Sequence, residues 1–330
     1  MSNDIKVSVI CNVYNHEKYV RDALEGFVKQ KTNFAFEVLV HDDASTDKSA
    51  DIIREYEKKY PDIIKPVYQT ENQYSQHKPI TKLFNLPRVK GKYVAMCEGD
   101  DYWTDCNKLQ KQYNSLEKNP DCYFCTHVVE RVNEKGLPNG KTYPNFHINT
   151  SKLSSPEFLE ILSLNGYSFQ TSSFFFRTSE WKTYILTPFE FKKCSVGDVP
   201  VELYFGQLGN VYFIDSAMSC YRTGVPESWV SRNRKKISTL TKYNREMFVA
   251  FKKYDEYTNG KFHRSCVRRM GIYMLQNSIF EKKEIDFFKK DKIKYFKLLK
   301  LKWKVCVVVG AVFPGLIKKW YLHRHPEIKE

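Results

Sequence analysis

The chain has 330 residues and a formal net charge of +15; 42% of its residues are hydrophobic and 15% are aromatic. This composition excludes a disordered or collagen-like chain, and the length suits one large core or a main domain with a smaller one. Nine scattered cysteines are too few for a disulfide scaffold, so we expect reduced thiols in a cytosolic protein.

Strand and helix patterns alternate through the first 130 residues. Runs of β-branched and aromatic residues predict strands, and apolar residues spaced three or four apart predict helices. The predicted elements are strand Lys6–Cys11, helix Glu17–Lys29, strand Phe36–His41, a helix carrying Ile52 and Tyr56, strands Ile63–Tyr68 and Tyr93–Cys97, helix Lys108–Lys118 and strand Tyr123–Val129. This order predicts an α/β fold with a doubly wound, mostly parallel sheet.

Neither a zinc site nor a membrane-spanning segment is predicted. Cys122 and Cys125 form a lone CxxC with no second pair, so we interpret them as strand residues. The start MSNDIKVSVI lacks the pattern of a signal peptide, and we expect none. The longest apolar run, Val305–Ile317, has 13 residues, and a spanning helix needs about 20.

The positive charge is concentrated in the last hundred residues. Residues 1–230 hold 27 basic and 29 acidic residues, whereas residues 231–330 hold 26 basic and 9 acidic ones. A segment with this much positive charge favours an anionic partner. The change in composition also predicts a domain boundary near residue 230.

Three polar clusters come where predicted strands end. Asn12 and Tyr14 end the first strand, His41-Asp42-Asp43 the second, and Glu98-Gly99-Asp100-Asp101 the fourth. Ligands of doubly wound sheets bind beyond the carboxyl ends of the strands. Mg²⁺ or Mn²⁺ would relieve the repulsion within the last cluster. A carboxylate of the second cluster could accept hydrogen bonds from a nucleoside, and Tyr14 could stack on its base.

Each cluster also has a structural interpretation: a solvated acidic turn at 98–101, helix capping in DDASTD, and a half-buried aromatic at Tyr14. Residues 1–110 contain three glycines and no GxGxxG loop. A bound phosphate would therefore be neutralised by a metal and side chains rather than by a glycine-rich loop.

Three stretches resemble the family 2 glycosyltransferases, in the bacterial branch that builds surface polysaccharides. They are VSVICNVYNHEKYVRDALEGFVKQ, FEVLVHDDASTDKSADII and GKYVAMCEGDDYWTDCNKLQKQ, and the resemblance extends over residues 5–225. It implies a GT-A fold, with a nucleotide-sugar glycosyltransferase domain at 1–230 and a basic helical extension at 231–330. The implied reaction is inverting transfer of a sugar from a nucleotide donor, a UDP-sugar, with Mn²⁺ or Mg²⁺ as cofactor.

The resemblance assigns the donor's base to the first two clusters. Asn12, Tyr14 and Asp43 match positions that hold the base in this family, and Asp42 lies beside them.

The third cluster matches the family's DxD motif. Glu98 takes the place of the first aspartate, which usually meets the ribose, with a longer side chain. Asp100 takes the place of the metal-binding aspartate, and Asp101 matches an aspartate that often follows. Asp100 and Asp101 could also be the working pair, so both are predicted metal ligands.

The segment CSVGDVPVELYF resembles the one that supplies the family's catalytic base, and Asp198 falls there. An inverting displacement needs one general base for the acceptor hydroxyl. Asp198 also suits the start of a helix, and Glu202, one turn later, is the alternative base.

Two further segments match the family. Tyr221-Arg222 resembles its YR-x-H stretch, but Gly224 replaces the histidine that often contacts the diphosphate. That contact is therefore assigned to Arg222 or a nearby Arg232 or Arg234. The stretch SFQTSS (168–173) matches a segment near the acceptor, with an ordinary strand start as the alternative.

The C-terminal third interleaves lysines with tyrosine, phenylalanine, leucine and tryptophan. This pattern is typical of helices on an anionic membrane surface. The alternative is a helical hairpin packed on the catalytic domain; nucleic acid is not expected, because no recognised motif accompanies the charge.

Together these features predict an inverting glycosyltransferase, cytoplasmic and peripheral on the inner face of the cell membrane. By resemblance, its acceptor is a saccharide on polyprenyl diphosphate, in capsular, O-antigen or exopolysaccharide synthesis. One alternative is a nucleotidyltransferase, but the glycine-rich N-terminal loop of that class is missing. The other is a non-catalytic basic scaffold on membrane or nucleic acid, against which the acids Asp100 and Asp198 argue.

Overall fold

The computed structural model describes residues 4–166, 169–226, 228, 231, 236–281, 287–324 and 328. The strands are β1 Ile5–Val13, β2 Ala35–Asp42, β3 Ile64–Tyr68, β4 Tyr93–Met96, β5 Tyr102–Trp103, β6 Cys122–Val132, β7 Pro138–Tyr143, β8 Lys152–Leu153, β9 Phe175–Arg177 and β10 Asn210–Arg222. The helices are α1 Val20–Val28, α2 Ser49–Lys59, α3 Lys108–Lys118, α4 Ser155–Asn165, α5 Thr178–Leu186, α6 Asp198–Leu208, α7 Ile237–Tyr257, α8 His263–Glu281, α9 Ile293–Leu298, α10 Leu301–Val312 and α11 Pro314–Arg324.

The strands form one mixed sheet in the order β3-β2-β1-β4-β9-β6-β10-β5, with β7 beside β6 and β8 beside β10. The pairs β3–β2, β2–β1, β1–β4 and β6–β10 are parallel. The short strand β9 runs antiparallel between β4 and β6. The predicted α/β fold with a mostly parallel sheet and a C-terminal helical region is confirmed.

The core of the sheet is apolar on both faces. Along β1 the side chains of Val7, Val9 and Cys11 on one face and of Ile10 on the other are buried, as expected for a parallel strand with helices on both sides. On α1, Phe27 packs edge-to-face against Trp103, with 4.7 Å between ring centroids. This packing supports the segment that follows β4, where the third polar cluster lies.

The chain forms two compact units. Unit 1 comprises residues 1–155, 168–187 and 204–225, and unit 2 comprises residues 156–167, 188–203 and 226–330. Within unit 2, Arg268 on α8 donates from Nε to the carbonyl of Leu298 at 2.9 Å, and its Nη1 pairs with Glu160 on α4. The division at residue 230 stays a prediction.

All nine cysteines are free, as predicted, and Cys122 and Cys125 are buried in β6. In the described part of the chain, no helix has the length and apolar composition needed to cross a membrane.

Candidate active site

Strand pairing brings the three polar clusters to one edge of the sheet. In the parallel β1–β2 pair, Val13 lies opposite Asp42. The N–H of Asp43 donates to the carbonyl of Val13 at 2.9 Å, and the N–H of Gly99 donates to the carbonyl of Asn12 at 3.0 Å. The ends of β1, β2 and the segment after β4 therefore form one site.

The turn at residues 98–101 is packed tightly against β1. A Cβ atom on Gly99 would lie 2.8 Å from Cγ2 of Val13 and 2.9 Å from Nδ1 of His16, so a larger residue would displace these side chains. Burial, and next the charge of Asp100, raise the pKa of Glu98 to about 7, and hydrogen bonding to Asn12 acts in the opposite direction. Ionisation of the carboxylates in this turn is therefore unfavourable, and a bound cation would make it more favourable.

Asp100 and Asp101 lie in different environments. Asp101 is 4% exposed, and its Oδ1 accepts a 2.8 Å hydrogen bond from the N–H of Arg222. Burial raises the pKa of Asp101, and the charge of Asp100 adds to the effect. The half-buried Asp100 carboxylate accepts no hydrogen bond from any described residue, so it is the acid of this pair available to a ligand.

Among the described residues, no three His, Cys, Asp or Glu side chains converge on a common point that would suit a metal. Magnesium-type sites in phosphate-binding enzymes commonly use one or two carboxylates, with phosphate oxygens and water completing the shell. The available carboxylate of Asp100 fits such a site. A ligand role for Asp101 stays a prediction.

The guanidinium of Arg222 lies inside unit 1, where each of its three nitrogens has an acceptor. Nε donates to the carbonyl of Asp100 at 2.9 Å, Nη1 to the carbonyl of Glu134 at 3.3 Å, and Nη2 to Oδ2 of Asp22 at 2.5 Å. The residue is 3% exposed. Its contact with a diphosphate stays a prediction.

The two acids at the end of β2, Asp42 and Asp43, have different hydrogen-bond partners. Asp43 accepts hydrogen bonds from the N–H groups of Gln73 at 2.8 Å and Tyr74 at 3.0 Å. Asp42 accepts a long 3.4 Å bond from the N–H of Ser45 on Oδ2, while its buried Oδ1 has no partner among the described residues. Burial raises the pKa of Asp42. Asp43 thus fixes the following loop, and Asp42 keeps an acceptor atom for a ligand.

Asn12 and Tyr14 frame the end of β1. Oδ1 of Asn12 accepts a 2.9 Å hydrogen bond from Nδ2 of Asn85, and Oδ1 of Asn85 is buried without a partner among the described residues. Tyr14 is 40% exposed, which leaves its ring accessible to a planar group.

The predicted base, Asp198, is the first residue of α6. The helix therefore starts where the pattern also predicted, and Oδ1 of Asp198 accepts a 2.9 Å hydrogen bond from the adjacent N–H of Val199. Asp198 is half-buried, whereas the alternative base Glu202 is fully buried. Accessibility therefore favours Asp198, whose catalytic role stays a prediction.

The stretch at 170–173 includes one 3-10 turn, Thr171–Ser173, which leads into β9. Nε2 of Gln112 donates to the carbonyl of Ser173 at 2.8 Å, and Nε1 of Trp103 to the carbonyl of Ser172 at 3.0 Å. Ser168, Arg232 and Arg234 lie outside the described residues.

Sequence reasoning missed Asn85, Asp22 and Glu134. Their roles depend on neighbours 73, 200 and 88 positions away along the chain. No local sequence pattern predicts contacts between residues so far apart. For Asn85 and Asp22, the available signal was a polar residue next to apolar positions.

Comparison with known proteins identifies the family. The model for "Glycosyl transferase family 2" matches residues 8–182, more than half of the chain. The chain belongs to glycosyl transferase family 2. A poly(ribitol-phosphate) beta-glucosyltransferase of Bacillus spizizenii is 28% identical over 153 residues, which are 45% of this chain and 23% of that protein. Mycobacterial relatives are 39% identical over 140 residues, which are 42% of this chain and 39% of those proteins. This chain therefore spans well under two thirds of the length of these relatives.

Solved structures have the same fold as this family 2 protein. A fragment of S. aureus TarS in complex with UDP-GlcNAc superposes with a TM-score of 0.55 at 16% identity, over 98% of this chain and 92% of that one. The mannosyltransferase PcManGT of Pyrobaculum calidifontis, in complex with GDP-Man and Mn²⁺, gives a TM-score of 0.53 at 14% identity, over 95% and 89% of the chains. At such low identity these likenesses support the GT-A-like fold and leave ligands open.

Proposed function

We propose that this family 2 member is an inverting glycosyltransferase that takes a sugar from a UDP-sugar in surface-polysaccharide synthesis. The observation that carries the proposal is the pair of unsatisfied acids at one sheet edge. Asp42 offers a buried acceptor atom and Asp100 an available carboxylate. A uracil base offers an N–H donor and a diphosphate needs a cation, so the two acids complement opposite ends of such a donor.

The donor's base would lie between Asp42, Asn12 and the exposed ring of Tyr14. Asn12 is fixed by Asn85, which orients its amide before any ligand arrives. Glu98, at the start of the turn, is the group we assign to the ribose. The complex of TarS with UDP-GlcNAc supports a uridine donor for a protein of this fold.

Asp100 would hold Mn²⁺ or Mg²⁺, with Asp101 as a second ligand if its side chain turns. Such an ion neutralises the charge that develops on the leaving diphosphate. The Mn²⁺ complex of PcManGT supports this cofactor. Of the three basic residues assigned to the diphosphate, we propose Arg232 or Arg234 as the protein's own contact, because the guanidinium nitrogens of Arg222 already have acceptors in unit 1.

Asp198 would act on the acceptor. As the hydroxyl oxygen bonds to the anomeric carbon, its proton passes to the carboxylate of Asp198, and the bond from that carbon to the diphosphate breaks on the opposite face. The sugar is thereby transferred with inversion. The acceptor we propose is a saccharide on polyprenyl diphosphate, which places the reaction beside a membrane.

The C-terminal helices support a peripheral position on the inner face of the cell membrane. No acidic residue occurs between 292 and 326, where nine lysines and arginines occur. Apolar side chains on one side of α10, in the connection and at the start of α11 are exposed: Leu301, Val305, Val308, Val312, Phe313 and Leu316. Exposed apolar groups flanked by lysines suit the interface of an anionic bilayer.

A hydrolysis screen tests the enzyme. Purified protein is incubated with a panel of nucleotide sugars, with Mn²⁺ or with excess chelator, and the release of nucleoside diphosphate is measured. We expect slow, metal-dependent hydrolysis of a UDP-sugar. Equal hydrolysis in chelator, or binding of none of the nucleotide sugars in calorimetry, would contradict the proposal.

A further inference from the structure

Arg222, at the end of β10, contacts three other segments of unit 1: the acidic turn, the turn between β6 and β7, and α1. It holds the side chain of Asp101 through its own N–H and the carbonyl of Asp100 through Nε. It also reaches the carbonyl of Glu134, in the turn between β6 and β7, and the carboxylate of Asp22 on α1. Arg222 thus holds two of the four residues of the acidic turn, Asp101 through its backbone N–H and Asp100 through its side chain.

The guanidinium is also enclosed by aromatic rings and backbone. Its central carbon lies 5.0 Å from the ring centre of Tyr19 and 4.9 Å from that of Tyr102. Gly136 approaches so closely that an added Cβ would lie 3.3 Å from Nη1, and its φ of +79° favours glycine. A planar group with donors in three directions suits this enclosure, and the single point charge of a lysine does not.

The salt bridge with Asp22 is the charged contact of this guanidinium. The Asp22 side chain is 54% exposed and joins Nη2 of the buried arginine. A buried cation needs a paired carboxylate, so Asp22 sets the position of Arg222, and Arg222 sets the position of the turn.

We propose that Arg222, held by Asp22, is a positioning residue that fixes the 98–101 turn so that Asp100 faces the donor site before metal and donor bind. This inference rests on the proposed function in one respect, the metal-binding role of Asp100. It gives Arg222 an action through the turn, which differs from direct contact with the diphosphate.

The test uses full-length Asp22→Asn and Arg222→Lys, with Glu55→Gln as the matched control. Glu55 is also 54% exposed and also paired with an arginine, Arg21, but away from the turn. The first measurement is amide hydrogen exchange of metal-free protein in peptides covering residues 98–103. We expect exchange there to rise by about threefold or more in both test variants and to stay unchanged in the control.

The second measurement is calorimetry of UDP binding at varied Mn²⁺. We expect the half-saturating Mn²⁺ concentration to rise about tenfold in Arg222→Lys, a typical cost of losing a group that orients a metal ligand. In Asp22→Asn, which removes a partly exposed pair, the rise should be about threefold. Asp22→Glu should keep much of the Mn²⁺ affinity that Asp22→Asn loses. The double variant Asp22→Asn/Arg222→Lys should bind Mn²⁺ no more weakly than Arg222→Lys alone, because Asp22 acts through Arg222.

Three results are decisive. Unchanged exchange at 98–103 in both test variants overturns the inference, whatever the enzyme does. Loss of UDP affinity in Arg222→Lys with no change in Mn²⁺ dependence would show a direct phosphate contact and also overturn it. If the unaltered protein binds UDP without any metal, the metal part of the proposed function fails. The exchange measurement still tests whether Arg222 and Asp22 fix the 98–101 turn.

Discussion

The carboxylate of Asp43 accepts a 2.8 Å hydrogen bond from the backbone N–H of Gln73, a residue 30 positions later in the chain. This contact fixes the loop after β3 against the end of β2. Because Asp43 is used in this way, its neighbour Asp42 is the acid of the pair that retains an acceptor atom.

Asp42→Asn should weaken UDP binding by about tenfold, because an amide that turns its NH₂ toward a base N–H no longer accepts from it. Burial raises the folded-state pKa of Asp42, so ionisation there opposes folding. The variant should therefore gain stability relative to the unaltered protein as pH rises through the titration range of the carboxyl. Calorimetry with UDP and thermal denaturation at several pH values measure both effects.

Asp43→Asn is the matched comparison. It should lower the unfolding free energy by about 1–2 kcal/mol, because one of the two backbone N–H groups loses its acceptor. If Asp43→Asn instead weakens UDP binding and leaves the unfolding free energy unchanged, Asp43 contacts the base, as the family resemblance implied.

Asp100→Asn should abolish most metal-dependent hydrolysis of the donor while the fold is retained, because the half-buried carboxylate has no structural partner among the described residues. Asp101→Asn is the informative partner, since an asparagine Oδ1 still accepts from the N–H of Arg222. We expect Asp101→Asn to keep substantial activity. Equal loss in both variants would make both acids ligands, and full activity of Asp100→Asn would contradict the metal site.

Asp198→Asn should lower turnover by about 10²–10⁴, the usual size of a general-base contribution. Asparagine also starts helices well, so α6 should remain stable, and thermal denaturation checks that the fold is retained. Donor affinity in calorimetry should be unchanged, because the base acts on the acceptor. If Glu202→Gln loses turnover and Asp198→Asn does not, the buried Glu202 is the base instead.

Lys108 gives a pH prediction that is independent of any ligand. It is fully buried in α3, where Nζ donates to Oε1 of Gln112 at 2.7 Å and lies 3.9 Å from the ring centre of Trp103. Burial lowers its pKa to about 7. The unfolded chain therefore binds one more proton than the folded protein at higher pH, and stability increases as pH rises above about 7 until the unfolded lysine also loses its proton.

Lys108→Met removes this titration. The unfolding free energy of the unaltered protein minus that of the variant should increase by up to about 1.4 kcal/mol per pH unit across that window. Urea denaturation at several pH values gives the difference directly. Parallel stability profiles would mean that Lys108 stays charged in the fold.

The parallel half of the fold is predictable because its signals are local. Strands β1, β2 and β4 are short apolar runs, and α1 repeats its apolar residues at helical spacing, so sequence alone places the three polar clusters at one edge. Strand β9 is not predictable in this way. It has three residues, Phe175–Arg177, and is a strand because it pairs with both β4 and β6.

The site shows the same division. Residue type and position predicted that the acids at 42, 43, 98, 100 and 101 lie at the site. They did not predict which of these acids is hydrogen-bonded to other parts of the protein. That depends on contacts such as Arg222 with Asp101, which are 121 positions apart. Long-range pairs of this kind follow from the packing of the sheet and leave no periodic signal in the sequence.

The exposed tip formed by Phe313 and the first turn of α11 predicts how the protein would bind a membrane. Phe313 and Leu316 are 59% and 60% exposed, and burying them at the interface should contribute on the order of 1 kcal/mol each. Phe313→Ser/Leu316→Ser should therefore weaken binding to anionic liposomes by about tenfold or more. Leu186→Ser, an exposed leucine on α5, is the control and should bind unchanged.

Charge should supply the rest of the affinity, because lysines close to anionic lipid contribute on the order of 1 kcal/mol each. Binding of the unaltered protein should weaken with salt but only in part, whereas the serine double variant should lose nearly all binding at high salt, since only screened charge remains to hold it. Truncation near residue 283 should abolish sedimentation with anionic liposomes and leave donor hydrolysis intact. Sedimentation with anionic and neutral vesicles across a salt series decides the matter. Equal binding to both lipids, or none by the full chain, would favour helices that pack against the protein itself.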